Sequence, residues 1–187
     1  FGVRRRDAQF LRELVEFQVA AMVRADVARR RAGVDIARRV RPEAPRVALV
    51  LGSGLGAFAD TLEAAQRIPF RDVDGMAHAA VAGHSGCFVF GRHAGLPICA
   101  MQGRVHLYEG HAPERVVFGA RLIIALGART LIATNAAGGI RDDLQAGDLM
   151  LIADHLNLTG VNALTGPNDD ALGPRFPDLC APYDGAL

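Results

Sequence analysis

The feature that most constrains this chain is a short apolar run, Val47–Leu51, that leads directly into the glycine-rich turn Gly52–Gly56. Buried parallel strands read as continuous apolar runs of this kind. Glycines placed just after such a strand let consecutive backbone N–H groups converge on an anion, because no Cβ obstructs them. Ser53 would add a hydroxyl donor. The pattern predicts a buried strand that ends in an anion-binding turn, although the same letters are also typical of an ordinary tight turn.

Three later segments carry similar chemistry. Residues 81–86 place His84 between glycines, and residues 102–111 collect several ionisable groups in one short loop. Residues 131–139 then repeat the first pattern, an apolar strand that opens into small residues and glycines. Because ligands in open α/β sheets lie beyond the carboxyl ends of the strands, the two strand-to-glycine segments are expected to face one site.

Simpler interpretations apply to the same residues. His84 or His106 taken alone would more often be a hydrogen-bonded structural histidine. His106 and His111, with Glu109 between them, miss the spacing of a helical His-x-x-x-His pair and have no thiol nearby, so we predict no metal site. A dinucleotide-binding domain is a further, weaker alternative, because the third glycine is not at its usual spacing and no acidic residue ending a second strand is evident about 20 residues later.

Six motifs, in this order, resemble the trimeric, low-molecular-mass purine nucleoside phosphorylases: GSGLG, GHSG, QGRVHLYEGH, TNAAGG, GDLMLIADHLNLTG and GPNDDALGPRFPDL. The resemblance covers roughly residues 26 to 187, and several motifs in order are far more specific than any one of them. The related methylthioadenosine phosphorylases usually have threonine in the first glycine loop. Ser53 and Asn135-Ala136 therefore favour the purine nucleoside branch, with a methylthioadenosine phosphorylase-like enzyme as the alternative.

The resemblance implies three sets of site residues: a catalytic pair, a ribose-binding set and a phosphate-binding set. His106 and Glu109 would be the catalytic pair, with the carboxylate fixing the tautomer of the imidazole. Tyr108 would line the ribose, and Phe176 would enter the ribose pocket of a neighbouring subunit, which implies a homotrimer. Phosphate would be held by five groups: Ser53, His84, Arg104, His106 and the backbone of Ala136. Arg104 suits this role because its planar guanidinium can donate two hydrogen bonds to one anion.

The resemblance also implies the fold and the reaction. The fold would be α/β, with a mixed central β-sheet flanked by helices. The reaction would be phosphorolysis of purine (deoxy)ribonucleosides to the free base and (deoxy)ribose 1-phosphate in purine salvage, with orthophosphate as co-substrate and no cofactor. Family members continue beyond this length, so we expect a chain truncated at its C-terminus, with the base-binding residues beyond residue 187. The alternative is a catalytically incompetent fragment that retains the phosphate half-site.

Composition is that of one globular domain: half of the 187 residues are apolar. No apolar run reaches membrane-spanning length. The odd number of cysteines, in no metal spacing, predicts buried reduced thiols in a cytoplasmic protein. Residues 1–46 hold 12 arginines against 6 acidic residues, but their apolar residues recur at helical spacing. We therefore predict an amphipathic helix in an N-terminal extension, residues 1–25, of unknown role, and no nucleic-acid partner.

The predicted elements alternate along the rest of the chain, residues 26–187, which we take as one domain. We predict a short helix near 35–40, and a longer helix that begins at Pro113 and ends before Gly127, since proline suits a first helical turn and glycine a helix end. Loop residues dominate 160–182, as in a lid or a disordered segment. Five strands are predicted, at 46–51, 86–92, 96–101, 129–134 and 148–154, with Ala94-Gly95 as a turn.

Overall fold

A computed structural model describes residues 33, 35–36, 43–77, 86–168, 170 and 173–186. The predicted N-terminal helix over residues 1–25 lies outside the described residues. Of the predicted helix near 35–40, Asp35 and Ile36 are described and helical, and Ile36 is buried in the core.

The described residues form a five-stranded mixed sheet. Its strands are β1 (Val47–Leu51), β2 (Glu63–Pro69), β3 (Cys87–His93), β4 (Leu96–Gln102) and β5 (Thr130–Ala133), in the order β2-β3-β4-β1-β5. β1 runs parallel to β4 and β5, whereas β2, β3 and β4 are antiparallel neighbours. The predicted mixed α/β fold is confirmed, and four of the five predicted strands are present.

β1 lies in the middle of the core and is buried on both faces. Ala48 and Val50 belong to one apolar cluster, whereas Val47, Leu49 and Leu51 belong to the other. Because successive side chains of a strand point to opposite faces of the sheet, a strand covered on both sides must be apolar at every position. This explains the uninterrupted apolar run in the sequence.

Two short helices follow the fourth strand: α1 (Pro113–Val116) and α2 (Phe118–Ala125). The single helix predicted from Pro113 is therefore divided at Val117, where the backbone departs from regular α geometry (φ −86°, ψ −5°). Pro113 begins the first helix, and Gly127, with φ +119°, follows the end of the second, both as predicted. α2 packs Leu122 and Ile123 into the core.

Three predictions from sequence were wrong. Residues 148–154 form no strand, since Leu149, Met150 and Leu151 are exposed and no described strand supplies partners for their backbone groups. Their apolar content alone suggested a strand. β2 was not predicted, because Glu63–Pro69 is mostly exposed and contains poor strand formers; pairing with β3 determines its conformation. Cys180 is exposed rather than buried, whereas the other two cysteines are buried.

From residue 141 to residue 186, the described chain contains turns and bends but no helix or strand. Whether the predicted loop at 160–182 acts as a lid stays a prediction. None of the helices in the described ranges combines the length and the apolar character needed to cross a membrane.

Candidate functional site

Three parallel strands bring three loops to one edge of the sheet. β1 ends at Leu51, β4 ends opposite it at Gln102, and β5 ends at Ala133 beside Val50. The carboxyl ends of parallel strands lie at the same edge. The glycine loop, the segment that contains Arg104 and the Thr134–Gly139 segment are therefore neighbours.

Thr134 joins two of these loops through its side chain. Its hydroxyl accepts a hydrogen bond from the backbone N–H of Gly52 at 2.8 Å and donates to the carbonyl of Val50 at 3.0 Å. This contact shows that the two strand-to-glycine segments lie side by side, and that they face one site stays a prediction. No role is predicted for Thr134 from the sequence, although a hydroxyl side chain at the end of an apolar strand is a usable signal.

Gly52 is required by the closeness of this contact. A Cβ at position 52 would lie 2.7 Å from the carbonyl oxygen of Thr134 and 3.0 Å from the Cα of Asn135. Both are backbone atoms, which cannot move away as a flexible side chain could. Gly54 has φ +86°, a left-handed conformation that favours glycine. Glycine is therefore favoured at position 52 by a close backbone contact and at position 54 by a positive φ.

The half-buried side chain of Arg104 connects its own loop to the Thr134–Gly139 segment. Its Nη1 donates to the carbonyl of Thr134 at 2.7 Å, and its Nε donates to Nε2 of His106 at 3.2 Å. A guanidinium carries five N–H groups in a planar fork, and these contacts use two of them. The two contacts therefore orient the guanidinium and leave its other N–H groups able to donate hydrogen bonds to a bound anion.

His106 is oriented by Glu109. One carboxylate oxygen of Glu109 lies 3.0 Å from Nδ1 of His106 and also accepts the backbone N–H of His106 at 2.8 Å. Nδ1 must carry a hydrogen to donate to this oxygen, and Nε2 is then the acceptor that Arg104 reaches. The Glu109 side chain is only 5% exposed. The predicted pairing of His106 with Glu109 is therefore present in the structure.

Tyr108 stacks on His106. The two ring centroids are 4.6 Å apart and the ring planes are inclined by 21°. Tyr108 is nevertheless 75% exposed, so one face of its ring covers the imidazole while much of the remaining surface is open to solvent. This is a suitable geometry for an aromatic wall beside a ligand.

The remaining predicted residues divide into three groups. Ser53 and Ala136 are exposed, on the two loops that the Gly52–Thr134 hydrogen bond joins. Phe176 is 86% exposed, and its described ring contact is with the guanidinium of Arg175, 5.8 Å from the ring centroid. His84 lies outside the described residues. Within the described part of the chain, no group of three or more metal-ligating side chains is found.

Taken together, the described site offers one arginine, an oriented imidazole and glycine-rich backbone at the edge of a sheet. These groups have the charge and donor geometry that bind tetrahedral oxyanions.

Matches to known proteins cover most of this chain. The family model described as the phosphorylase superfamily matches residues 46–187. The chain is 47% identical, over 146 residues, to purine nucleoside phosphorylase 1 of Geobacillus stearothermophilus, covering 78% of this chain and 53% of that protein. It is 43% identical to the purine nucleoside phosphorylase of Mus musculus over 143 residues, 75% of this chain and 50% of the mouse protein.

A solved structure agrees with these matches. Isoform 2 of purine nucleoside phosphorylase from Schistosoma mansoni, in complex with cytosine and ribose-1-phosphate, superposes with a TM-score of 0.75 at 40% identity. The match covers 81% of this chain and 54% of the schistosome chain. The chain thus spans about half the length of the relatives that it matches.

Proposed function

The chain belongs to the phosphorylase superfamily, and from this we propose that it supplies the phosphate-binding part of an enzyme that cleaves purine nucleosides with orthophosphate. The products are the free purine and ribose or deoxyribose 1-phosphate, as in purine salvage. Relatives named purine nucleoside phosphorylase support this choice of substrate.

The observation that carries the proposal is the arrangement of Arg104 and His106. Their side chains contact each other at 3.2 Å, and Arg104 also contacts the backbone of Thr134 on the neighbouring loop. A phosphate ion bound beside them would meet a fixed positive charge and an imidazole whose tautomer Glu109 determines. Pre-oriented groups of this kind bind an anion without first having to reorganise.

In the proposed reaction, a phosphate oxygen forms a bond to the anomeric carbon of the sugar while the bond from that carbon to the purine nitrogen breaks. The bonding electron pair leaves with the purine, which takes up the proton that the phosphate hydroxyl gives up as the phosphate ester forms. The main task of Arg104 is then to place the nucleophile and to balance its charge. Ser53, His84 and the backbone of Ala136 complete the phosphate site in this proposal.

Tyr108 would form the ribose wall, next to the histidine on which it stacks. We extend the proposal to a homotrimer in which Phe176 enters the ribose pocket of an adjacent subunit. Its exposed ring supports this role, because a large aromatic side chain on a protein surface is typical of a contact site.

The reaction requires orthophosphate as co-substrate and no metal or organic cofactor. Three free cysteines support a cytoplasmic location.

Direct titration with inorganic phosphate tests the central proposal. Isothermal calorimetry should detect binding to the unaltered chain, and Arg104→Met should weaken it by about 30-fold or more, the equivalent of about 2 kcal/mol for a lost charged donor. Arg92→Met is the matched control, since Arg92 pairs with Glu43 rather than with the site loops. Failure of the unaltered chain to bind phosphate, or equal binding by Arg104→Met, would contradict the proposal.

Two further measurements address the reaction and the assembly. The protein as purified from its source should release hypoxanthine from inosine only when phosphate is present. For the shared site, subunits with Phe176→Ala should be mixed with subunits with Arg104→Met, because some mixed sites would then retain both groups. Mixtures no more active than either variant alone would show that Phe176 does not complete a neighbour's site.

A further inference from the structure

A hydrogen-bonded cluster of four side chains lies beside the glycine loop, outside the predicted phosphate contacts. Gln102, the last residue of β4, is at its centre, and Asp60, Arg67 and Cys87 surround it. Asp60 lies in the 3-10 helix Gly56–Thr61 at the end of the glycine loop, Arg67 lies on β2 and Cys87 lies on β3. The cluster therefore connects three separate elements to the residue that stands two positions before Arg104.

Both polar atoms of the Gln102 side chain are used. Nε2 donates to the carbonyl of Gly56 at 2.9 Å and lies 3.3 Å from a carboxylate oxygen of Asp60. Oε1 accepts from Nη1 of Arg67 at 2.7 Å and contacts the thiol of Cys87 at 3.4 Å. The amide group supplies both the donor and the acceptor that these contacts need, and the contacts orient it with Nε2 towards Gly56 and Oε1 towards Arg67.

The ion pair of Arg67 with Asp60, beside Gln102, contributes little to stability by itself. Arg67 also contacts Asp60, but their side chains are 41% and 57% exposed. Exposed ion pairs contribute little to the free energy of unfolding, because water and salt screen them. The pair instead orients Gln102. Arg67 donates a hydrogen bond to Oε1 of Gln102, and in this orientation of the amide Nε2 donates to the carbonyl of Gly56.

The glycine loop is consequently held at both ends. At its start, the N–H of Gly52 is bound by the hydroxyl of Thr134. At its end, the carbonyl of Gly56 is bound by Gln102, while Leu55 donates back to Gly52 at 3.2 Å inside the loop. Backbone N–H groups bind an anion well only if they are fixed at the right place.

We propose that Gln102, oriented by Arg67, is a positioning residue that fixes the Gly52–Gly56 loop relative to Arg104 so that both contact the same oxyanion. This inference rests on the proposed function of the site. Gln102 acts through the loop and through its place on β4, without touching phosphate itself.

Two substitutions at position 102 separate this role from simple packing. Gln102→Glu keeps the size and the acceptor for Arg67 but loses the N–H donor to Gly56. Gln102→Met keeps the approximate length and loses both functions. We expect each to raise the dissociation constant for inorganic phosphate about fivefold, within the range for coupled neighbours. The control Arg92→Met, on the adjacent strand, should bind phosphate as the unaltered chain does.

Arg67→Met tests the second member of the network. If Arg67 acts only through Gln102, the double variant with Gln102→Met should bind phosphate no more weakly than Gln102→Met alone. Amide hydrogen exchange of Leu55 and Phe58, measured without phosphate, should become faster in every Gln102 variant. Their N–H groups bond to the carbonyls of Gly52 and Leu55, inside the segment that Gln102 holds.

The outcomes distinguish this inference from the proposed function. If the unaltered chain binds no phosphate, the proposed function fails, and unchanged exchange at Leu55 and Phe58 would then overturn the role of Gln102 in fixing the loop. Suppose that the unaltered chain binds phosphate, and that Gln102→Glu and Gln102→Met each bind it as tightly as the unaltered chain does. The positioning role is then overturned, even if amide hydrogen exchange at Leu55 and Phe58 is faster in the variants. Additive losses for Arg67→Met and Gln102→Met would show that Arg67 acts on phosphate by another route.

Discussion

A single carboxylate oxygen of Glu109 contacts both the backbone N–H and the ring Nδ1 of His106, at 2.8 and 3.0 Å. The two contacts fix the backbone and the imidazole of the same residue. They place the hydrogen on Nδ1 and turn Nε2 towards Arg104, 3.2 Å away. Glu109 thus orients His106 and, through it, the contact with Arg104.

Glu109→Ala should therefore weaken phosphate binding by about 10-fold, because the imidazole of His106 loses the charge-assisted hydrogen bond that fixes its tautomer and orientation, and such a bond is worth about 1.5–3 kcal/mol. Glu109→Gln should retain much of the affinity, since its amide oxygen can accept the same hydrogen bonds. Calorimetric titration with phosphate measures both. Glu114→Ala, at an exposed glutamate nearby, is the control. Equal affinities for Glu109→Ala and Glu114→Ala would refute the orienting role.

Thr134→Val should destabilise the fold and loosen the site together. Valine has the shape of threonine but neither accepts from Gly52 nor donates to Val50. We expect a loss of about 1–3 kcal/mol in the free energy of unfolding, measured by urea denaturation. Thr134→Ser keeps the hydroxyl and should recover most of this. Thr61→Val, which removes one exposed hydrogen bond, should cost far less, and similar losses at positions 61 and 134 would argue against a special role for Thr134.

Gly52→Ala should be much more harmful than Gly138→Ala. The added methyl at position 52 would lie 2.7 Å from the Thr134 carbonyl, whereas a Cβ at position 138 meets nothing within 4 Å. Because the obstructing atoms are backbone, the two loops must separate, which disrupts both the Gly52–Thr134 hydrogen bond and the anion site. Thermal unfolding and phosphate titration of the two variants provide the test. Equal behaviour would mean that the loops adjust without loss.

The sequence predicted those parts of the fold that local pattern determines. β1, the first four residues of β3 and most of β4 are apolar and buried, and β5 is a short, largely apolar segment. The Ala94-Gly95 turn follows from the hairpin spacing, and both residues have positive φ. The convergence of the two glycine-rich segments follows from the rule that ligands lie beyond the carboxyl ends of parallel strands.

The remaining features depend on contacts between distant residues. β2 is formed by pairing with β3, and the apolar residues 148–154 find no strand partner in the described chain. Thr134 and Gln102 reach loops 82 and 46 residues away along the chain. Periodicity carries no information on such distances. The polar contacts that position the site were therefore visible only in the folded structure.

The three cysteines differ in burial and in pKa. Burial raises the pKa of Cys99 well above its usual range, with a further contribution from Cys87. Cys180 is exposed, and a hydrogen bond to Asp178, with the charge of that carboxylate, raises the pKa of its thiol. Since the thiolate is the species that reacts, Cys180 should be the first of the three to be alkylated, and more slowly at about pH 8 than an ordinary exposed thiol.

Asp178→Asn should lower the pKa of Cys180 towards the ordinary value. The thiolate fraction at about pH 8, and with it the rate of alkylation by iodoacetamide, should then rise, and the difference should vanish at high pH, where the thiol is fully ionised in both proteins. Mass spectrometry of the alkylated peptides identifies the reacting cysteine, and Asp184→Asn, at another acidic residue of the same segment, serves as control. Faster reaction at Cys87 or Cys99 than at Cys180, or a rate unaffected by Asp178→Asn, would contradict this account.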